Sequence, residues 1–532
     1  MAADGEVCSN CRTERLPDPI DPRELFPHVD DPRSAGDQPM FDLGPRFIDR
    51  GGALAALEAS VRGAIERNRI AFLLVTGEPG MGKSRLVAEL WRRVGAAVPE
   101  ARLLAGSCAF SRSVIAEVLE SRFAISPSDD AAAKLAKITA GVGDLLPEAR
   151  VTEVAHLLAH LMRVPIPESP VLEPLSTLPQ RLETRTFMAL RRFFAADAQI
   201  RPLCLCFENL DSAHPETINL IHYLAAGLEN APVTIVGTAS PDLAEYHPSF
   251  GDIDVPLMRI ELGPLSDADA DALVAALGAP LSHIPEALLL RARALASSPR
   301  AIYELFRLLL ETDTITYTRG AWHIDEARLA STSAPTSHDE LSALRIAGMP
   351  AADRDILERA ACVGESFWLD AVVALTRMAA PQADPDGPRL SDIAQAGDHT
   401  RVTVAEALAR LAEREWIVEA PVSSMPGERE YRFVYPNLWA TTYARIDEAR
   451  RRASHRAVAQ WLELRPEGRD AAQQEEIGRH LGLAGDGAGA SARLRRAADA
   501  ARQGFFNDKA IRLYTQALTH LAEADVAARI HL

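Results

Sequence analysis

The sequence predicts an α/β domain, a parallel sheet with helices on both faces, followed by a long C-terminal part that is mainly helical. Two observations predict it. Four apolar runs, IAFLLVT, PLCLCF, PVTIVGT and LMRIEL, alternate with helical patterns, and near-continuous apolar runs of that length belong to strands buried on both faces. After Pro264 the pattern turns helical, with SDADADALVAAL, PEALLLRARALA and RAIYELFRLLLE in succession.

In order along the chain, residues 1–42 are rich in Pro and Asp and read as a poorly ordered leader. Cys8 and Cys11 within it have ligand spacing. A tetrahedral zinc site needs four ligands, and no second cysteine pair or histidine pair lies nearby, so no zinc is assigned to them. Residues 43–262 form the α/β domain, opening on the helical pattern GGALAALEASVRGAIERN. Residues 263–330 read as a helical lid that ends in a short hairpin, ITYTRGAWHID. STSAPTSHDE, residues 331–340, is a linker by composition. Residues 341–440 hold helices and then two strand-like runs, WIVEA and YRFVY, which suggests a winged-helix-like unit. Residues 441–532 are almost all helical, and Ala510, Tyr514 and Ala517 have the spacing of the second helix of a tetratricopeptide repeat. One repeat cannot bury its own faces. The closing stretch ADVAARIHL starts a fresh helical pattern, so the sequence is expected to be a fragment or the N-terminal portion of a longer solenoid protein.

The formal charge of −17 over 532 residues opposes broad binding to a nucleic-acid backbone. The most basic stretch, ARRRASHRA at 449–457, is expected to be a solvated helix face. No apolar run is long enough to cross a bilayer, and the polar, acidic start MAADGEVCSN is not a secretory signal. The expectation is a cytoplasmic protein without a membrane partner. Cys204 and Cys206 alternate inside an apolar run and read as core residues. The 14 histidines show no HExxH spacing, there is no GxSxG elbow, and His214 reads as a loop residue.

The motif that carries chemistry is GEPGMGKS, from Gly77 to Ser84. It fits the P-loop pattern without a mismatch and sits between a strand and an amphipathic helix. Gly77, Glu78, Pro79, Gly80, Met81 and Gly82 make a loop whose glycines let backbone N–H groups approach phosphate oxygens. The helix that starts at Lys83, Ser84 and Arg85 adds its N-terminal dipole. Lys83 would reach the β- and γ-phosphates, and the Ser84 hydroxyl would be a magnesium ligand. Glu208, which closes PLCLCF, is the best candidate to organise the same magnesium. Asn209 then occupies the place of a water-activating acid. An amide can orient water but cannot take its proton, and loss of a general base costs about 10²–10⁴-fold in rate. Glu208 and Asp211 stand as substitutes.

These residues carry a family resemblance that runs from about Phe47 to the C-terminus. The chain resembles the STAND class of signal-transduction ATPases, and more narrowly the origin-recognition-like AAA modules that accompany bacterial adenylate cyclases, Ser/Thr kinases and LuxR-type regulators. FIDRGGALAALE resembles the entry motif of that family at Phe47, Arg50 and Leu54, while Asp49 and Gly51 depart from it. FENLDSAHPET resembles its second acidic motif at Glu208, Leu210, Ala213 and Pro215. In VGTASPDL, Ser240 stands where the family usually has Arg. LASSPRAIYELFRLLLE resembles the Gly-Asn-Pro helix near the adenine, with Pro299 kept and Ser297 in place of glycine. The resemblance implies ATP or ADP with Mg²⁺ as cofactors, nucleotide-dependent closure of the domains, a protein partner on the C-terminal helices, and self-association. Altered positions 209, 240, 49 and 51 beside an intact phosphate cradle imply weak or absent hydrolysis. An active ATPase is the alternative. No cyclase or kinase signature is present. Two other functions stay open. One is a transcription regulator, which the net charge and the near-neutral helix VAEALARLAERE oppose. The other is an interaction scaffold with a decayed nucleotide site, which the clean GEPGMGKS opposes.

Overall fold

A computed structural model describes residues 47–521 except 49–51, 109–112, 127, 177, 319, 380–389, 421–422, 426, 466–470 and 505–506. The leader with Cys8 and Cys11, Arg50, and the closing ADVAARIHL lie outside the described residues. The chain divides into two compact units, one up to His338 and one from Asp339 onward.

The first unit runs α1 (Ala53–Arg67), β1 (Ala71–Thr76), α2 (Lys83–Ala97), β2 (Arg102–Ser107), α3 (Val114–Arg122), α4 (Ala131–Gly143), α5 (Glu148–Leu161), α6 (Pro179–Ile200), β3 (Leu203–Glu208), α7 (Pro215–Gly227), β4 (Val233–Ala239), α8 (Leu243–Tyr246) and β5 (Leu257–Glu261). The five strands make one parallel sheet in the order β2-β3-β4-β1-β5. The pleat sends alternate residues to opposite faces. Leu73, Val75, Cys204, Cys206 and Val236 pack with Leu57 of α1 and with Leu86, Leu90 and Trp91 of α2. Phe72, Leu74, Leu205, Phe207 and Ile235 pack with Leu119, Leu158, Phe193 and Leu224 of the other helices. Each fully buried Leu or Phe contributes roughly 1.5–3 kcal/mol, so both faces hold the sheet. Burial pushes the Cys204 thiol up to about 12, as expected of a core residue.

One strand differs from the sequence expectation. The stretch after Arg102 reads as helical, but RLLAGS is β2, an edge strand paired only with β3. Its residues other than Leu104 are half-buried. An edge strand needs no continuous apolar run, which is why the alternation of apolar runs passes over it.

The remainder of the first unit is α9 (Asp267–Leu277), α10 (Glu286–Ala294), α11 (Pro299–Glu311), a hairpin of β6 (Ile315–Thr318) and β7 (Ala321–Ile324), and α12 (Glu326–Ser331). Ser266 caps α9 with Asp269 in a reciprocal capping box. Pro299 opens α11, where its missing N–H costs nothing. That helix buries Ile302, Leu305, Phe306 and Leu309 along one face.

The second unit runs α13 (His338–Gly348), α14 (Ala351–Val363), β8 (Ser366–Trp368), α15 (Leu369–Ala379), α16 (Leu390–Glu413), β9 (Ile417–Glu419), β10 (Glu430–Phe433), α17 (Pro436–Ala444), α18 (Glu448–Glu463), α19 (Ala471–Leu483), α20 (Gly487–Gln503) and α21 (Asn507–Thr519). The two expected strands pair antiparallel as β9 and β10, and the three-residue β8 joins the other edge of β10. Phe367, Tyr431 and Phe433 fill the core beneath this sheet. Ala510 and Ala517 are buried between α20 and α21, and the Tyr514 hydroxyl donates to Asp499 at 2.6 Å.

The basic run at 449–457 is not a solvated face throughout. It lies on α18, where Arg450 reaches Asp355 at 2.5 Å and Glu358 at 2.7 Å on α14. Arg451 covers the Tyr443 ring, and Arg452 pairs with Glu448 on its own helix. His455 in the same run is 2% exposed. A helix alternates its faces every three to four residues, so one charge run serves both solvent and core.

His455 belongs to a chain of hydrogen bonds. The Tyr443 Oη lies 2.7 Å from His455 Nε2, His455 Nδ1 lies 2.9 Å from His480 Nδ1, and Arg479 Nη2 lies 2.9 Å from His480 Nε2. A guanidinium only donates. Arg479 therefore makes His480 Nε2 an acceptor, the His480 proton sits on Nδ1, and His455 accepts on Nδ1 and donates from Nε2 to Tyr443. Both rings are neutral in this arrangement. Burial, with Arg479 and Arg451 nearby, brings His455 down to about 4, and burial with Arg479 and His455 holds His480 well below the usual histidine value.

Candidate phosphate-binding site

The site is built on the C-terminal ends of β1, β3 and β4. The loop after β1 is tied to both neighbouring strands. Leu262 N–H donates to Thr76 O at 2.8 Å, and Gly77 N–H donates to Ala239 O at 3.3 Å. Gly77 passes so close to β5 that a Cβ would stand 2.9 Å from the Leu262 carbonyl oxygen. Gly80 has φ +84°, and a Cβ there would stand 2.6 Å from Ser298 Oγ and 2.9 Å from Arg300 Cβ. Arg300 N–H donates to Gly80 O at 3.2 Å. The first turn of α11 thus rests directly on the loop, and bare glycine is what allows the approach.

Gly82 is the N-cap of α2, and the helix runs from Lys83 without a side-chain cap. Its first N–H groups are therefore left for a ligand. Lys83 Nζ turns back onto the loop and donates to Gly77 O at 2.6 Å and Glu78 O at 3.2 Å. Burial pulls the Lys83 ammonium below its usual value, while the carboxylates of Asp211, Glu78 and Glu208 act in the opposite direction. Met81 is buried, Glu78 is exposed, and Pro79, Ser84 and Arg85 are half-buried.

Glu208 ends β3 and is 3% exposed. Asn209, next to it, has left-handed backbone at φ 56°. Its N–H donates to Thr238 Oγ1 at 3.2 Å, and its Nδ2 donates to Ser107 Oγ at 3.0 Å. The amide expected to orient water is thus bonded to the edge strand β2. Ser240 contributes its backbone, whose N–H donates to Asp211 Oδ1 at 2.8 Å. Pro299 lies at the start of α11, one residue before the Arg300–Gly80 bond. Glu208, Asn209, Ser240 and the loop are therefore gathered at one sheet end, with Pro299 beside the loop.

Three neighbours were not expected from sequence. Glu117 accepts the Ser107 N–H at 2.9 Å, and Thr238 and Ser107 hold Asn209. Ser107 lies in the strand the apolar pattern passes over. Cys108 follows it, with its thiol pushed up to about 12 by burial and by Glu117, Asp211 and Glu208.

The sheet order, the loop and the acid at the end of β3 together meet the sequence expectation of a P-loop domain. Residues 46–236 match the family model of the AAA ATPase domain. The AAA match covers the phosphate loop, Glu208 and most of the sheet. Among solved structures, the chain is similar to the STAND protein with a tetratricopeptide repeat sensor from Pyrococcus horikoshii, at 12% identity and a TM-score of 0.42 over 91% of this chain. It spans about half of that protein, 55% of its length. It is also similar to the ORC1 protein of Aeropyrum pernix, solved in complex with DNA, at 12% identity and a TM-score of 0.33, covering 74% of this chain and 91% of that one. Cdc6p of Pyrobaculum aerophilum gives 14% identity and a TM-score of 0.33, covering 83% and 99%. No curated protein matches the chain. Among the described residues no helix is long and apolar enough to cross a membrane.

Proposed function

We propose that this chain is an ATP-binding regulatory switch in signalling, with slow hydrolysis or none, and that its C-terminal helices hold a protein partner. One observation carries the reading: the lid helix α11 rests on the phosphate loop through the Arg300–Gly80 bond, so a nucleotide that reshapes the loop acts directly on the lid. A switch needs such an element that ligand contacts can bias.

Lys83, the backbone of residues 77–82 and the start of α2 would hold the phosphates. The Ser84 hydroxyl and the Glu208 carboxylate are hard oxygen donors of the kind Mg²⁺ takes, so the residues present fit that ion. When bound, magnesium neutralises charge on the phosphates. Lys83 must exchange its loop carbonyls for phosphate oxygens, and Asp211 and Glu78 keep the ammonium charged while it does so.

The second unit, in this reading, is a winged helix used for structure, followed by tetratricopeptide-like helices, in a cytoplasmic protein that also self-associates. Arg401 and Arg410 of α16 are paired with Asp370 and Asp353 at 2.8 and 2.7 Å. These ion pairs support a structural role, because a helix that reads DNA needs its arginines for bases and phosphates.

Binding of Mg·ATP to the full chain and to Lys83→Ala tests the proposal, together with sedimentation of each with and without nucleotide. The expected result is binding that depends on Lys83 and a nucleotide-dependent change in compactness or oligomeric state. Binding with no change in either would leave a scaffold. Absence of binding in both would refute the switch.

A further inference from the structure

Residue 209 leaves a vacancy in the chemistry, since its amide cannot accept a proton and is bonded to Ser107. The next acid along the chain is Asp211. The left-handed turn at Asn209 leads into a short 3₁₀ turn, Leu210–Ser212, which folds the chain back across the end of β4. There Asp211 Oδ1 accepts the Ser240 N–H at 2.8 Å. The residue before Ser240 is Ala239, whose carbonyl accepts the Gly77 N–H. Asp211 is thus linked to the first residue of the phosphate loop through its carboxylate's bond to the Ser240 N–H and the backbone bond from Gly77 to Ala239. It is half-buried, and its Oδ2 is in no hydrogen bond among the described residues.

We propose that Asp211 takes the place of residue 209 as the acid that orders the attacking water and accepts its proton. This inference rests on the nucleotide-binding reading above. The electrostatics agree with the placement, because Asp211 acts on Lys83 more strongly than Glu78 or Glu208 does. Glu208, as a magnesium ligand, would have its carboxylate committed. In the step itself the water oxygen forms a bond to the terminal phosphorus. The bond from that phosphorus to the bridging oxygen breaks, and its electron pair leaves on ADP. The water proton passes to Asp211 Oδ2 and then to solvent.

The test is Asp211→Asn in the full chain, with Mg·ATP binding and single-turnover hydrolysis measured against wild type across pH. Asparagine keeps an oxygen that accepts the Ser240 N–H, so a purely structural role survives the change. The expected result is binding like wild type and a single-turnover rate lower by about 10²–10⁴-fold at every pH tested. Asp211→Glu should recover part of the rate. Wild-type turnover unchanged in Asp211→Asn would overturn the inference and leave the nucleotide site standing. Wild-type binding without any turnover would do the same. No binding of Mg·ATP by wild type would overturn both the inference and the reading beneath it.

Discussion

Two polar clusters in this molecule are built on opposite plans. Around Tyr443, His455, His480 and Arg479, donors and acceptors satisfy one another in a line that runs through two buried imidazoles. Around the phosphate loop, Lys83 is held by backbone carbonyls of its own loop, and the first N–H groups of α2 have no side-chain cap. The first plan fixes one arrangement, since removing any member leaves another buried and unmatched. The second keeps groups that a ligand can claim. Buried polarity therefore means stability in one place and readiness to bind in the other.

The sharpest way to separate the plans is Lys83→Ala. It should weaken Mg·ATP binding by roughly 10- to 100-fold, the worth of one hydrogen bond to a charged group, while thermal unfolding stays near wild type. Calorimetric titration and a melting curve on the same sample check both halves. His480→Leu should do the reverse. It strands the buried His455 and should lower stability by about 1–3 kcal/mol, read by denaturant unfolding, with ATP binding unchanged.

Acid provides a finer probe. The folded state keeps His455 and His480 neutral, and the unfolded chain protonates them near pH 6.5. Stability is then complete above that pH. It falls as pH drops from about 6.5 toward 4, by about 1.4 kcal/mol per pH unit for each ring. Unfolding midpoints at several pH values test this, and a flat profile, or one as steep in His480→Leu as in wild type, would break the comparison. The smallest effect is expected at Asn209→Ala, which removes the bond to Ser107 and should cost about 0.5–1.5 kcal/mol, measurable by the same unfolding experiment.

The phosphate loop was legible because its chemistry demands glycines and a lysine at fixed spacing within eight residues. The central strands were legible because burial on both faces demands apolar runs. The edge strand β2 was not, since Arg102, Gly106 and Ser107 answer to one neighbour only. The task of Asn209 could not be read either, because its partner Ser107 lies 102 residues earlier. The histidine pair is separated by 25 residues and spans two helices, and no local period announces it. Local geometry writes itself into sequence spacing, whereas pairings made by the fold do not.

The contact at Gly80 has a mechanical side. Helix α11 has 13 residues, a rod of about 20 Å at 1.5 Å per residue. Its near end sits on the loop, and the chain leaves its far end for the β6–β7 hairpin. Such a rod is a lever with its fulcrum beside Gly80. A tilt of about 10° there carries the far end through about 3 Å, on the same rise per residue. On the switch proposed above, an ångström-scale shift of the loop on phosphate loss or gain would be geared up to the size of a side chain.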